Sequence, residues 1–192
     1  TYNITVTGAA GWANASTDAV GFDPGTGAVL FTGTVAQSIS GETSTTFYDL
    51  RINNTSATGV TLAQPITVDN ILTLTDGYLY TDAVNLLTMS AGSSVSGVTN
   101  SSFVYGPMAK VGSTDFTFPI GKDVLYRPIG ISSLSGSETF TATYFHANPD
   151  LAPYDVTSKD GSLDHVSETE YWTLTEAGTA DAWVTLSWDS YS

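Results

Sequence analysis

Apolar and polar residues alternate with a period of two along most of this chain. Clear examples are Phe116 and Phe118, and further on Val184, Leu186 and Trp188. Period two over short runs bounded by Gly, Asn, Asp and Ser is typical of half-buried β-strands. No stretch of about ten or more residues carries a convincing helical apolar stripe. The pattern therefore predicts an all-β protein.

The first half of the chain carries short apolar runs separated by small polar turns. They include residues 60–62, 66–68, 71–74 and 86–89. Their spacing is irregular, yet it is close to that of short stacked coils. A short coil cannot bury its apolar side alone and must stack on a neighbour, so we expect a β-solenoid-like segment over residues 1–102. An ordinary β-sandwich with short strands is the alternative.

The second half has a different pattern, because its alternating apolar runs are longer and its aromatic residues are more frequent. Three of the four tryptophans lie here, namely Trp172, Trp183 and Trp188. Aromatic residues bury a large area and favour pleated surfaces. We expect residues 103–192 to form an antiparallel β-sandwich, packed with the solenoid-like half as one rigid unit.

The ends of the chain suggest a route to assembly. The chain opens on a strand-like alternation at residues 2–6 and stops soon after Trp188, and these abrupt ends suggest a piece of something longer. An unpaired edge over residues 183–189 is then expected to accept a strand from a neighbouring copy, such as its residues 2–6.

Two copies of Pro-Ile-Gly frame a hairpin-like excursion in the second half. Pro119 and Pro128 cannot donate ladder hydrogen bonds, so each marks a strand end or an edge. Lys122 and Arg127 lie between them and are two of only five basic residues. We expect them to hold nearby carboxylates or to stay in water, as surface pairs contributing about 0–1 kcal/mol.

Charge and composition exclude several classes of partner. The 192 residues carry a formal net charge of −14, which repels phosphate backbones and anionic membrane surfaces. Nucleic acid is therefore not an expected partner. The chain has no cysteine, so disulfides and thiolate metal sites are not available. No run approaches the ~20 apolar residues that a membrane span requires, so we expect no membrane insertion.

Five segments, in this order, carry a family resemblance: FTGTVAQSISGETSTTFYDLRINN, GVTLAQPITVDNILTLTDGYLYT, FVYGPMAKVGSTDFTFPIGKDVLYRPIGISSL, TFTATYF and EYWTLTEAG. The chain resembles, from about Ala28 to Trp188, a module of very large repetitive surface proteins of Bacteroidota. Those proteins are typically exported by the type IX system and are described as adhesin-like. The resemblance implies an extracellular or cell-surface location, a structural or adhesive role, and membership of a long polypeptide or assembly. Because related modules continue with further strands past the equivalent of residues 186–189, the resemblance also implies that the last sheet of the sandwich is incomplete at the C-terminus or is completed by another chain. It implies no catalytic residue and no ligand.

The acidic insert between Phe145 and Ser167 holds the candidate metal ligands. Asp155, Asp160 and Asp164 could supply the oxygen ligands that calcium prefers, and calcium is the one cofactor we consider. Their spacing matches neither the EF-hand nor the glycine-rich nonapeptide of calcium-binding β-rolls, so a solvated acidic loop is the alternative. His146 and His165 border this insert without a companion at metal-ligand spacing.

Four aromatic residues lie outside any clear core alternation: Trp12, Tyr78, Tyr80 and Tyr154. They are the candidate sugar contacts. Single exposed aromatics are also common without any function.

Catalytic signatures are weak in this sequence. No Gly-x-Ser-x-Gly elbow is present, and the pair Glu168 and Glu170 has a spacing common among surface acids. We therefore predict a secreted, non-enzymatic structural or adhesive cell-surface module, a fibre or filament subunit. Its expected partners are other copies of itself, neighbouring modules of a longer chain, and surface glycans. A carbohydrate-binding module of a larger extracellular enzyme is the main alternative, and a glycan-cleaving enzyme is the third.

Overall fold

The computed structural model describes residues 2–18, 21–151 and 154–188, which form strands, turns and one short 3-10 turn at Pro149–Leu151. The first ten strands are β1 (Ile4–Val6), β2 (Trp12–Asn14), β3 (Ala28–Phe31), β4 (Gln37–Gly41), β5 (Thr45–Asn53), β6 (Val60–Leu62), β7 (Ile66–Asp76), β8 (Leu79–Tyr80), β9 (Leu87–Met89) and β10 (Ser94–Ser96). The others are β11 (Val104–Tyr105), β12 (Met108–Gly112), β13 (Phe116–Phe118), β14 (Ile120–Lys122), β15 (Leu125–Tyr126), β16 (Ile129–Ser132), β17 (Glu138–Phe145), β18 (Tyr171–Glu176) and β19 (Trp183–Leu186).

Parallel pairing of the first two sheets builds a β-solenoid. The first sheet has the strand order β1-β3-β5-β7-β9-β12-β17-β18, and β10 also pairs with β7. The second sheet has the order β15-β14-β11-β8-β6-β4-β2. From β1 to β8, successive strands alternate between the two sheets, so each coil stacks on the one before it. The predicted all-β, solenoid-like fold class is thereby confirmed.

One ladder of the solenoid repeats with a constant step along the chain. Thr45 of β5 pairs with Ile66, Ile66 with Leu87, and Leu87 with Met108, so the sequence separation between partners is the same each time. The second sheet is less regular, because Val60 is closer in sequence to its partner Leu79 than Leu79 is to its next partner Val104. The turns between strands therefore absorb the variation in coil length.

The constant ladder stacks side chains inside the solenoid. Phe47, Val68 and Met89 occupy equivalent positions on successive coils and are fully buried. Lys110 takes the next position of this stack and is also buried. Its ammonium donates hydrogen bonds to the carbonyl oxygens of Ser90 and Ser93 and to the Ser93 hydroxyl, and lies 5.2 Å from the centre of the Phe116 ring. Burial lowers the pKa of Lys110 below the usual lysine range.

Buried side-chain amides form hydrogen bonds at the turns between coils. Asn54 Nδ2 donates to the Val35 carbonyl at 2.9 Å and to Gln37 Oε1 at 2.7 Å. Gln37 Nε2 in turn donates to the carbonyls of Val6 and Gly8 in the first coil. Turn carbonyls that are removed from water need such donors, since an unsatisfied buried polar group costs about 1–3 kcal/mol.

Antiparallel strands complete the second half of the chain. β12 pairs with β17 and β17 with β18, while β13, β16 and β19 form a third antiparallel sheet. Phe118 and Ile131 of the third sheet share one buried core with Phe140 and Tyr144 of β17. Parallel pairing continues past residue 102, where β11 contacts β14 and β12 contacts β9. The boundary between residues 102 and 103 stays a prediction. Within the described residues, no helix is long and apolar enough to cross a membrane.

Candidate functional site

A row of three tyrosines lines the outer face of the second sheet. In β8 and β11, Leu79 and Val104 point inward and are fully buried, so alternation places Tyr80 and Tyr105 outside. Because these two tyrosines pair in register, their ring centres lie 4.9 Å apart. The ring centre of Tyr78 lies 6.0 Å from each of them. We call Tyr78, Tyr80 and Tyr105 the tyrosine row.

Phe103 packs against this row of tyrosines. Its ring is fully buried and lies 4.6 Å from that of Tyr78 and 6.2 Å from that of Tyr126. Gly121 on β14 makes room for it, because a Cβ at this position would lie 2.8 Å from Phe103 Cε2. The aromatic packing therefore holds the tyrosine row against the sheet.

A carboxylate is held beside the row at the tip of the β14–β15 hairpin. Asp123 accepts a hydrogen bond from the Tyr105 hydroxyl at 3.1 Å, and its other oxygen lies 2.8 Å from His146 Nδ1. The hydrogen bond with His146 is the main cause that lowers the pKa of Asp123. Asp123 has a φ of +59°, in the left-handed region that Asp tolerates better than most residues. Its side chain remains 54% exposed and ionised above its lowered pKa.

A groove of about 620 Å³ lies between Tyr105, the member of the tyrosine row that lines it, and the outer face of β17. The lining combines one aromatic wall with several polar groups: Thr81, Asp82, Tyr105, Lys122, Thr143 and Phe145. Burial raises the pKa of Tyr105 above the usual tyrosine range, so its hydroxyl stays a donor at neutral pH. We call this feature the tyrosine groove.

Two of the four predicted sugar contacts, Tyr78 and Tyr80, lie together in the tyrosine row. Tyr154 lies elsewhere, with its ring 5.6 Å from that of Tyr171. Tyr171 in turn stacks on Phe145 at 4.5 Å, and Phe145 lines the groove. Tyr154 is thus connected to the groove through two rings.

Trp12 is packed differently from the other three. It lies on β2, which β4 and β6 separate from β8 in the second sheet. Its ring packs edge-on against Phe22 at 4.7 Å and Phe47 at 5.5 Å, and its Nε1 donates to the Thr45 hydroxyl. Trp12 is therefore partly buried against the core and does not join the tyrosine row.

The predicted calcium ligands are not brought together. Within residues 2–18, 21–151 and 154–188, no group of three or more His, Asp and Glu side chains has metal-binding geometry. The carboxylates of Asp155 and Asp160 each accept hydrogen bonds from the residue two positions further on, and Asp164 lies 3.0 Å from His165. Calcium binding stays a prediction, and nothing in this geometry supports it.

Arg127 holds a carboxylate, as one of the two expectations states, but the expected surface location is wrong because the side chain is buried. Its Nε donates to Glu170 Oε2 at 2.9 Å, and Glu170 is buried as well. The Tyr144 hydroxyl donates to the same carboxylate oxygen at 2.5 Å, and Trp172 Nε1 donates to the Arg127 carbonyl. The ion pair therefore joins the segment between β15 and β16 to the start of β18 inside the sandwich. Lys122, by contrast, lines the tyrosine groove.

A second feature is the uncovered strand β19. Val184 and Leu186 pair with the buried isoleucines of β16 and share their face of the sheet, yet they are 50% and 44% exposed. Trp183 and Trp188 are 76% and 78% exposed. Among the described residues, β19 pairs only with β16, so its other edge is open. Residue 189 of the predicted edge lies outside the described residues.

Sequence reasoning missed Tyr105, which lines the groove, and the pair of Asp123 and His146 beside it. The alternation of FVYG in residues 103–106 was the one local signal for an outward Tyr105. The approach of Asp123 to His146 joins positions far apart in sequence and needs the fold. No family model, curated protein or solved structure matches this chain.

Proposed function

We propose that this chain is an extracellular, non-enzymatic structural and adhesive module that joins copies of itself through open sheet edges. The location rests on the resemblance to surface proteins of Bacteroidota. The mechanical role is supported by the solenoid, in which stacked parallel strands pair backbone groups from coil to coil. Such paired ladders resist local opening, as a load-bearing module requires.

The open edge of β19 is the observation that carries this proposal. In the part of the chain that the structure describes, the outer edge of β19 has no strand partner, and it lies beside four large apolar side chains, Trp183, Val184, Leu186 and Trp188. An exposed apolar edge strand is a template for pairing with another strand, and natural monomers usually protect it with charge or proline. β19 has the sequence WVTL, with neither device.

The proposed occupant of this edge is β1 of a second copy. β1 pairs with β3 on one side and, among the described strands, has no neighbour on the other. Its segment alternates Tyr2, Ile4 and Val6, and Tyr2 is 90% exposed. Both strands lack charged residues, so they avoid repulsion in a chain of net charge −14. Joining β1 to β19 uses two different surfaces, so the contact propagates head to tail.

The test is negative-stain microscopy and light scattering of the purified chain over a concentration series. The wild type is expected to form linear assemblies that Leu186→Lys and Ile4→Lys each abolish. Leu163→Lys is the matched control, because Leu163 is similarly exposed but lies in the acidic insert. Circular dichroism checks that the variants stay folded. A wild type that remains monomeric throughout, or assemblies that survive Leu186→Lys, would overturn the proposal.

The tyrosine groove favours the second candidate function, a carbohydrate-binding module. It does not depend on self-assembly, since the row lies on the second sheet and β19 belongs to the third.

A further inference from the structure

We propose that the tyrosine groove and the tyrosine row beside it bind a neutral saccharide, with the rings of Tyr80 and Tyr105 under a pyranose ring and the Asp123 carboxylate, next to Tyr105, accepting its hydroxyl groups. The two rings are tilted by 38° and lie on adjacent, register-paired strands. Ligand pockets typically combine aromatic walls with a few well-placed polar groups, and this groove has both. Aromatic faces serve as stacking platforms for the rings of a ligand.

The polar part of the site is already oriented. An ionised carboxylate has about four lone-pair positions, and the hydrogen bonds with Tyr105 and His146 use one on each oxygen of Asp123. The two remaining lone-pair positions of the exposed Asp123 carboxylate can accept hydrogen bonds from two donors of one ligand. Asp82, in the groove lining, already accepts the backbone amides of Val84 and Asn85 on one oxygen and the side-chain amide of Asn85 on the other. Asp123 is therefore the acceptor best placed for a ligand.

The charges of the groove select the class of ligand. Asp82 and Lys122 lie in the lining and Asp123 lies beside it next to Tyr105, within a protein of net charge −14, so an anionic ligand is disfavoured. A metal ion alone would make no use of the aromatic wall. A pyranose offers an apolar C–H face to the tyrosines and hydroxyl donors to the carboxylate, so it uses both the aromatic and the polar groups of the proposed site.

The experiment measures binding to a panel of neutral hexasaccharides of glucose, mannose, galactose, xylose and N-acetylglucosamine, first on an array and then by calorimetry. The Leu186→Lys protein is used beside the wild type, so that failure of the assembly proposal does not affect this result. We expect Tyr80→Ala to weaken binding by about tenfold, the typical loss of one stacking ring. Tyr80→Phe keeps the ring and is expected to bind like the wild type.

Asp123→Gly is the second test variant, because glycine accepts the left-handed backbone at this position and so keeps the hairpin. It is expected to weaken binding by at least as much as Tyr80→Ala. Tyr48→Ala removes a half-buried tyrosine on β5 of the first sheet, outside the groove and the tyrosine row, and is the control. The proposal is overturned if no neutral saccharide of the panel binds, or if either Tyr80→Ala or Asp123→Gly binds as tightly as the wild type.

Discussion

Substitution of Glu170 by alanine tests the energetic role of the buried ion pair. In the folded protein, Glu170 accepts hydrogen bonds from Arg127 Nε and from the Tyr144 hydroxyl, and both charged side chains are withdrawn from water. Removing the carboxylate leaves a guanidinium that cannot lose its proton inside the sandwich. Breaking one side of a buried pair costs about 3–5 kcal/mol. Total stabilities are about 5–15 kcal/mol, so the loss is a large fraction of the whole.

Urea unfolding measures this loss directly. With a slope of about 2 kcal/mol per molar urea, the midpoint of Glu170→Ala is expected to fall by about 2 M. Glu168→Ala removes an exposed carboxylate two residues away and is expected to change stability by less than about 0.5 kcal/mol. Tyr144→Phe removes one donor and is expected to cost about 1 kcal/mol.

The double variant Arg127→Met/Glu170→Met separates the loss of the ion pair from the cost of leaving one buried charge without its partner. It removes both charges, so no ion is left alone in the core, and replacing a buried pair by apolar residues is often close to neutral. We expect it to be more stable than Glu170→Ala. If Glu170→Ala unfolds at the same urea concentration as Glu168→Ala, the reasoning from burial is refuted.

Two further predictions concern the solenoid. Gly77→Ala is expected to destabilise the fold by more than Gly92→Ala in urea unfolding. The two glycines have nearly equal φ angles of +77° and +78°, but a Cβ on Gly77 would lie 2.0 Å from the Asn54 carbonyl oxygen, whereas a Cβ on Gly92 would meet open space. Equal losses of stability in the two variants would contradict this reasoning. Lys110→Met tests the lowered pKa of Lys110. The ammonium of Lys110 loses its proton at a lower pH in the folded state than in the unfolded state. The stability of the wild type should therefore rise relative to that of the variant as the pH approaches the ordinary lysine pKa. A stability difference that stays constant with pH would speak against this burial effect.

The candidate site was predictable only in part. Tyr78 and Tyr80 are two positions apart in one short strand region, so their common side follows from alternation alone. Tyr105 joins them because the second sheet pairs β8 with β11, across a longer stretch of chain than the one between β6 and β8. The length of that stretch depends on the turns between strands, which have no simple signal in the pattern. Trp12 shows the reverse case, since an aromatic outside any clear alternation packs against the core.

Local patterning determined the strands and the solenoid-like stacking of the first half, because a period of two and short apolar runs express which side of each strand must leave water. Tertiary structure decided which strands became neighbours, and with them the constant step of one ladder, the tyrosine groove and the open edge of β19. Tertiary structure also decided which charged side chains are buried. Arg127 and Lys110 look like surface residues in the sequence, and only long-range packing supplies the carboxylate and the carbonyl oxygens that allow them to be buried.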